Sequence, residues 1–413
     1  MIIGRIMNQL YLYNRILNLT SLWSVSAVEL NEANEHILVT VSFNKAAELC
    51  CPKCSQPSRL YDVRKRQWRH LDTCQFQTFI EADIPRVICS EHGVLTLQVP
   101  WAEGSSHYSR MFENHIVSLA QSTSYLTVSK QVKLSWSCID RIIKRAVMRG
   151  LSRRWEVDCR HLSVDETSIS KRHEYITVLS NSQGQVLAIA DGRASQSLLM
   201  CFKSLPIQFL SKAQTISMDM SPAYIKATKH FFGARYRRMI SIDHFHIAKL
   251  LTKAVEDIRK EDAKTLPSLE RMRFHKGRYC WLKKGTALSE ETLKELNYQR
   301  TLMIKTSMAW VLKEKARDIW CGVEPPTRCS WVKWFGLVRD SGLKPLEMVA
   351  STIRKHLDGI MTSMRTKTSN ARAEAINKNI KNVGRVAHGF RNKERYKSAI
   401  FLRYGKLTTE LAH

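Results

Sequence analysis

The chain has 413 residues, 44% of them hydrophobic with no long biased tract, so it is expected to fold almost throughout into two or three domains. Its 65 Lys and Arg against 37 Asp and Glu leave a formal charge of +28, which points to a polyanionic partner, nucleic acid before an anionic membrane. No window approaches the about 18 consecutive apolar residues of a spanning helix. Eleven cysteines, an odd number, fit a reducing compartment with free or metal-bound thiols, so a cytoplasmic protein with no membrane partner is expected.

The opening MIIGRIMNQLYLYNRILNL is interrupted by Arg5, Asn8, Asn14 and Arg15 and reads as an amphipathic helix rather than a signal peptide. Two alternating runs follow, Trp23–Leu30 and His36–Phe43, and predict a hairpin joined through Asn31–Asn34. Cys51 and Cys54 then form a CxxC pair, and Cys89 with His92 a CxxH pair. Two such knuckles suit one tetrahedral, structural Zn²⁺, with Pro52 and Gly93 supplying the tight turns; Cys50 is a bystander. Four buried thiols and a surface histidine would be the plainer alternative. Between the knuckles, residues 76–84 and 86–89 are strand-like, and Arg59, Arg64, Lys65, Arg66 and Arg69 make the segment basic.

From about Phe112 the pattern turns helical: one helix, a shorter one ending near Leu134, a turn, and a longer helix from about Ser137. In the longer helix Ile139, Ile142, Ile143, Ala146 and Val147 make an apolar stripe. Arg141, Lys144, Arg145 and Arg149 project elsewhere, with Lys130 and Lys133 just before. This is helix-turn-helix geometry, and these six cations are the candidate DNA contacts; an ordinary helical hairpin with a solvated face would look similar.

Residues 156–250 alternate strand and helix. The stretch HLSVDETS, residues 161–168, reads as a short buried strand ending on Asp165 and Glu166. Residues 175–180 and 185–191 continue as strands, helices are expected near 196–204 and 222–231, and two further strands end on Asp219 and Asp243. An acid at the end of an apolar strand must be hydrated, paired or metal-bound, because an unpaired buried charge is too costly. Three meandering strands followed by alternating helix and strand is the order of an RNase H-like α/β fold, whose metal-binding acids sit on the first strand, after the fourth and on a late helix.

Residues 251–365 read as a helical insertion carrying Trp281, Trp310, Trp320, Trp331 and Trp334, which are expected in the core rather than stacked on bases. Beyond it SNARAEAINKNIK is a helix. At 100° per residue Ile376, Ile380 and Val383 share one face, and Glu374, Asn377, Lys378 and Lys381 the other. Pattern alone does not distinguish Glu374 from a solvated glutamate paired with Lys378.

In order along the chain, CPKC, PRVICSEHG, VPWAEGSS, LSW, VDET, MDMSPAYI, DHFHIAK, NARAEAINKNI and GFRNKERY resemble the ISL-three group of bacterial insertion-sequence transposases over nearly the whole chain. The resemblance implies an α+β multidomain protein. A β-rich zinc-binding domain (1–110), a helix-turn-helix (111–155) and an RNase H-like catalytic core of the DDE type (156–250) would be followed by a helical insertion (251–365) and the last part of the core with its tail (366–413). It implies Asp165, Asp219 and Glu374 as catalytic acids holding Mg²⁺ or Mn²⁺, with Asp243 and His246 supporting the site or Asp243 replacing Asp219 as second acid. The expected activity is binding of terminal inverted repeats, metal-dependent strand cleavage and strand transfer into double-stranded target DNA by a homo-oligomer. A non-catalytic zinc-containing DNA-binding regulator, or an RNase H-like nuclease that cuts without joining, are the alternatives. No Walker-type GxxxxGK run is present, which argues against an ATP-driven helicase.

Overall fold

The computed structural model describes residues 9–169, 174–282, 288–302, 304–321, 327–367, 371–387, 389–390 and 392–411. The first eight residues of the expected amphipathic helix lie outside them. The chain divides into two compact units, residues 1–154 with 386–413, and residues 155–385.

In the first unit a short helix, α1 (Gln9–Ile16), precedes the hairpin of β1 (Trp23–Asn31) and β2 (His36–Phe43), paired antiparallel as the alternation predicts. Three more strands follow: β3 (Arg59–Arg69), β4 (Gln77–Cys89) and β5 (Gly93–Thr96). The sheet runs β1-β2-β4-β3, with β5 alongside β4. Two differences from the sequence reading stand out. The basic stretch from Arg59 is itself an eleven-residue strand, and the two short runs around Pro85 are one strand. Pro85 lies where β4 changes neighbours: β2 pairs with residues 77–82 and β5 with 86–89, so the missing N–H falls in the gap between two partners. The core of this sheet is a tryptophan group. Trp101 meets Trp23 and Trp68 edge-to-face, with ring centroids 5.2 and 5.5 Å away, a geometry that adds to the burial of three large rings.

The sheet is tied to the helices through His70, whose Nδ1 lies 2.8 Å from the Ser109 hydroxyl. Ser109 in turn caps α2 (Arg110–Ser122) by accepting from the Phe112 amide. Burial, reinforced by the Arg69 charge, pushes the His70 pKa down to about 4. The unfolded chain therefore takes up a proton near pH 6.5 that the native unit refuses until about pH 4. Native stability should rise with pH across that window, and at pH 5 the loss relative to pH 7 from this residue is roughly 2 kcal/mol. Denaturant melts at pH 5 and pH 7 should show that difference shrinking in His70→Gln, since the other acid-sensitive groups are common to both proteins. An unchanged slope would remove His70 as its source.

Two helices complete the expected helix-turn-helix: α3 (Tyr125–Gln131) and α4 (Trp136–Ser152). All five residues of the predicted apolar stripe are buried, and Ser135 caps α4 through the Cys138 amide. Lys133 makes the turn with a left-handed backbone, φ 52°. The tail expected on the catalytic core belongs instead with these helices. The C-terminal helix Lys393–Tyr404 buries Tyr396, Ala399, Ile400 and Leu402, pairs Arg395 with Asp140 of α4, and aims Arg403 at the carbonyls of Ala120 and Thr123 at the end of α2. Residues 366–413 are thus split between the two units near Val386. Gly150 of α4 permits this packing: a β-carbon there would stand 2.7 Å from Leu407.

The second unit is built on a five-stranded sheet: β6 (His161–Ser168), β7 (Tyr175–Asn181), β8 (Val186–Asp191), β9 (Thr215–Met218) and β10 (Ile240–Ile242), in the order β10-β9-β6-β7-β8. β6, β7 and β8 form the antiparallel meander, and β9 and β10 add in parallel, which is the RNase H-like arrangement the element order predicts. β6 does not end at its acids, however: it pairs with β7 through Ser168. The helices are α5 (Ser195–Lys203), α6 (Ile207–Leu210), α7 (Pro222–Phe232), α8 (Tyr236–Met239) and α9 (His244–Ala263). The insertion follows as α10 (Ser268–Lys276), α11 (Arg278–Leu282), α12 (Glu290–Leu302), α13 (Ile304–Cys321), α14 (Arg328–Asp340), α15 (Lys344–Lys355) and α16 (Leu357–Thr366), and α17 (Ala371–Val386) carries Glu374.

The insertion is not a separate body. Trp281, Trp331 and Trp334 are buried in the same apolar cluster as Leu162, Ile216 and Ile242 of the sheet, with Trp310 and Trp320 packed against it. Helix α9 runs straight through the boundary drawn at residue 250. Gly359 of α16 allows that helix to lie on β10, since a β-carbon would meet Ile242 at 2.7 Å.

Candidate functional site

The three strand acids lie at or just past the carboxyl ends of the ladders joining three adjacent parallel strands. β6 and β9 last pair Ser163 with Ser217, and Asp165 and Asp219 each follow two residues further, close enough for the Asp219 charge to act on Asp165. β9 and β10 pair Met218 with Ile242, which sets Asp219 beside Asp243. With neighbouring strands about 4.8 Å apart, the backbone alone produces a row of carboxylates at the carboxyl end of the parallel strands. Each acid is braced by a local amide: Glu166 N–H to Asp165 at 2.8 Å, Ser221 N–H to Asp219 at 2.9 Å, and Phe245 N–H to Asp243 at 3.2 Å, the last making Asp243 the N-cap of α9.

Asp165 feels its acidic neighbours. Burial pushes the Asp165 pKa up to about 6, and the charges of Asp219 and Glu166 push the same way, against the pull of the Glu166 amide and the Asn377 side chain. A carboxyl group so disposed gains from a cation. Glu166, adjacent in the sequence, is occupied differently: it accepts from the Tyr224 hydroxyl at 3.1 Å, as expected for the opposite face of the strand.

Helix α17 brings the fourth acid from far along the chain. Ile376, Ile380 and Val383 are buried as their spacing predicts. One donor atom from each of Asp243, His246 and Glu374 lies within 4.8 Å of the others, a constellation able to hold a metal ion. Among the described residues the buried His246 Nε2 has no hydrogen-bond partner, and in the neutral ring protonated on Nδ1 it would offer a lone pair to a metal. Asn377 departs from its place on the predicted polar face: it is buried, with its amide nitrogen 3.4 Å from the Glu166 carbonyl, and so fastens α17 to β6. Its spacing three residues from Glu374 was the available sequence signal, but helical periodicity reads a polar residue as solvated. The carboxylate-rich set fits a hard divalent cation, and the imidazole is compatible with Mg²⁺'s neighbours such as Mn²⁺.

Cys51, Cys54, Cys89 and His92 also gather, with donor atoms within 4.8 Å of one another. Sγ of Cys54 and Cys89 are 3.7 Å apart, and His92 Nδ1 lies 3.8 and 3.7 Å from Cys51 and Cys89. Thiolates each about 2.3 Å from a tetrahedral zinc stand about 3.8 Å apart, so the donors fit that ion. Backbone amides of Cys54 and Lys53 pull the Cys51 thiol down to about 7, and the His92 ring is the main influence lowering Cys89. The turns are made by Ser55 and Gly93 at positive φ, and Cys50 stands exposed outside the donor group.

Of the six cations expected on DNA, Lys130, Lys133, Arg141, Lys144 and Arg145 are exposed. Arg145 pairs with the buried Glu113, and Arg149 is held by Glu103 and by the Thr409 carbonyl of the C-terminal segment. A hollow of about 560 Å³ opens beside α4, between Arg141, Arg145 and the loop 103–108.

Comparison with known proteins finds matches over each of these three regions. A family model described as "Transposase" matches residues 162–400, more than half the chain. One for the zinc finger of the transposases of IS204, IS1001, IS1096 and IS1165 matches 48–92, and one for the helix-turn-helix domain of transposase family ISL3 matches 97–147. The transposase for insertion sequence element IS1557 of Mycobacterium tuberculosis is 24% identical over 372 residues, covering 83% of each chain. That for IS1001 of Bordetella parapertussis is 23% identical over 354 residues, covering 84% of this chain and 86% of its own. Sheet order, gathered donors and matched segments together make this chain a member of the ISL3 family of insertion-sequence transposases.

Proposed function

We propose that this DNA transposase is of the DDE type, with Asp165, Asp219 and Glu374 as its catalytic acids and Asp243 and His246 flanking Glu374. The observation that supports this most is that Asp165, Asp219 and Asp243 follow the last paired residues of adjacent parallel strands, with Glu374 of α17 gathered beside Asp243 and His246. Asp243, His246 and Glu374 form one donor group, and Asp165 with Asp219 would supply a second, a set that suits a pair of divalent ions, Mg²⁺ or Mn²⁺. When bound, such ions neutralise charge on the attacking and leaving oxygens of an in-line displacement at phosphorus. The chain's own part is positional: the sheet fixes two acids, the α9 N-terminus a third, and Asn377 the approach of α17. Cleavage adds water to a phosphodiester at the element's end and frees a 3′-hydroxyl. That hydroxyl then forms a new bond to a target phosphorus while the target's own 3′-oxygen leaves.

We further infer a structural zinc on Cys51, Cys54, Cys89 and His92, and recognition of the inverted repeats by the zinc module and helix-turn-helix. Arg141 and Lys144 would lie nearest the DNA, with Lys130 and Lys133 on phosphates. Two ends must meet, so a homodimer or larger assembly acts on DNA in the cytoplasm, at the nucleoid.

The test is incubation of the purified protein with a labelled element end and a plasmid, with Mg²⁺ or with EDTA. Metal-dependent nicking followed by joining is expected. Cutting without joining would reduce the reading to a nuclease, and tight binding with no cleavage under any metal would leave a DNA-binding regulator.

A further inference from the structure

Beside the carboxylate row, the second unit carries a long basic trough that the chemistry of the site does not use. Two hollows, each of about 660 Å³, share Arg237 and Asp358 as a common wall. One is lined by Pro222 and Ile242, the first residue of α7 and the last of β10, so it begins within three residues of Asp219 and directly next to Asp243. The other continues along α16 to Arg365 and Lys367. Lys226, Lys229, Arg237, Lys355, Arg365 and Lys367 line the pair and are all exposed. The one acid lining either hollow, Asp358, is paired with Arg328, and leaves this excess of cations uncompensated.

We propose that this trough holds the phosphate backbone of target duplex DNA, leading it to the carboxylate row. This rests on the transposase reading above and adds a second DNA surface to it. The chemistry selects target over element DNA. Base readout combines Asn and Gln on adenine edges with Arg or Lys on guanine, whereas most contacts from exposed cations to duplex DNA go to the phosphates. Among the described residues the lining contains neither Asn nor Gln, and its cations are four lysines and four arginines, Arg238 and Arg328 included. A surface that grips backbone without reading sequence suits a partner whose sequence is not fixed in advance. The element's ends are fixed, and the helix-turn-helix supplies their recognition.

The test uses the full chain, wild type beside Lys226→Ala/Lys229→Ala and Arg237→Ala/Lys355→Ala, with a circular dichroism melt to show that the fold is kept. In zinc-saturated EDTA with no Mg²⁺, so that the zinc module stays loaded, the variants should bind a labelled element end as wild type does. They should bind a plasmid lacking that end at least tenfold more weakly, with the slope of log affinity against log salt smaller by about one for each cation removed. With Mg²⁺, end cleavage should stay within about twofold and joining to the plasmid should fall at least tenfold. Plasmid binding unchanged in EDTA overturns the proposal, as does loss of end binding and cleavage in step with joining, which would assign the trough to the element's own DNA. A wild type that cuts under no metal would sink the transposase chemistry, yet the EDTA plasmid measurement would still decide whether the trough is a backbone-binding surface.

Discussion

Asp165→Asn is expected to abolish end cleavage and joining, by at least about 10²–10³-fold, while making the metal-free protein more stable. Both effects have one origin. Asp165 sits among Asp219 and Glu166 in a partly desolvated place, and its pKa of about 6 means that the folded protein resists ionising it. Between about pH 4 and pH 6 the native state holds a proton that the unfolded chain has released, so this residue's contribution to stability declines as pH rises and is gone above pH 6. At pH 7.5 the wild type therefore carries a penalty of roughly 3 kcal/mol at most that an uncharged amide of the same shape removes. A divalent cation relieves the same penalty in the wild type. Thermal melts with EDTA and with Mg²⁺ should show a higher melting temperature for the variant in EDTA, and a larger metal-induced rise for the wild type. Asp219→Asn and Glu374→Gln should also lose both reactions while retaining DNA binding. Asp243→Asn should retain measurable cleavage if Asp219 is the second acid; the reverse ranking would exchange the roles of the two. A variant of Asp165 that is inactive but less stable in EDTA would show that the carboxylate is structural.

Removal of zinc should have the second large effect, and a localised one. Zinc-finger peptides draw about 10–16 kcal/mol of apparent free energy from their ion, more than a small sheet can replace. Cys89 ends β4, the strand that carries Ile80 and Ile84 into the tryptophan core. Cys89→Ser, or wild type treated with a strong chelator, should lose stoichiometric zinc and become open to proteolysis first within residues 50–58 and 90–96. Binding of the element's end should weaken at least tenfold, whereas the residue 155–385 unit should melt as before. Retained zinc in Cys89→Ser would displace this residue from the donor set. Full protease resistance after zinc loss would mean that the Trp23, Trp68 and Trp101 core holds the module without it.

The sequence was most readable where one periodicity faces one core. The stripe of α4 and the hairpin of β1 and β2 are of this kind, and so is the meander followed by β9 and β10, whose order prescribes the row of acids. It was least readable where exposure removes the pattern. β3 buries only Trp68 and Arg69 at its end, and an edge strand wet on most of its length has no alternation to detect. Carboxylates at positions 165 and 166 looked like a strand terminus because a charged pair is expensive to bury, yet each is accommodated separately, one in the acid row and one on Tyr224. Amphipathicity shows that the C-terminal helix has a partner without saying which, and the partner proved to be the helix-turn-helix. Cys51, Cys54, Cys89 and His92 could be grouped from spacing alone, whereas bringing His246 and Glu374 together required the fold.

The first unit is assembled from both ends of the chain, and this has a consequence in time. Arg149 and Gly150 of the DNA-reading helix wait for Thr409 and Leu407, which leave the ribosome only after the residues from 155 to 385 have been made. At about 5–20 residues per second, that intervening stretch imposes a delay of roughly 10–50 s before the helix-turn-helix acquires its final brace. Until then a nascent chain has its RNase H-like segment but an unfinished address reader. Termination after residue 385 would therefore leave the RNase H-like segment whole and the helix-turn-helix without its brace.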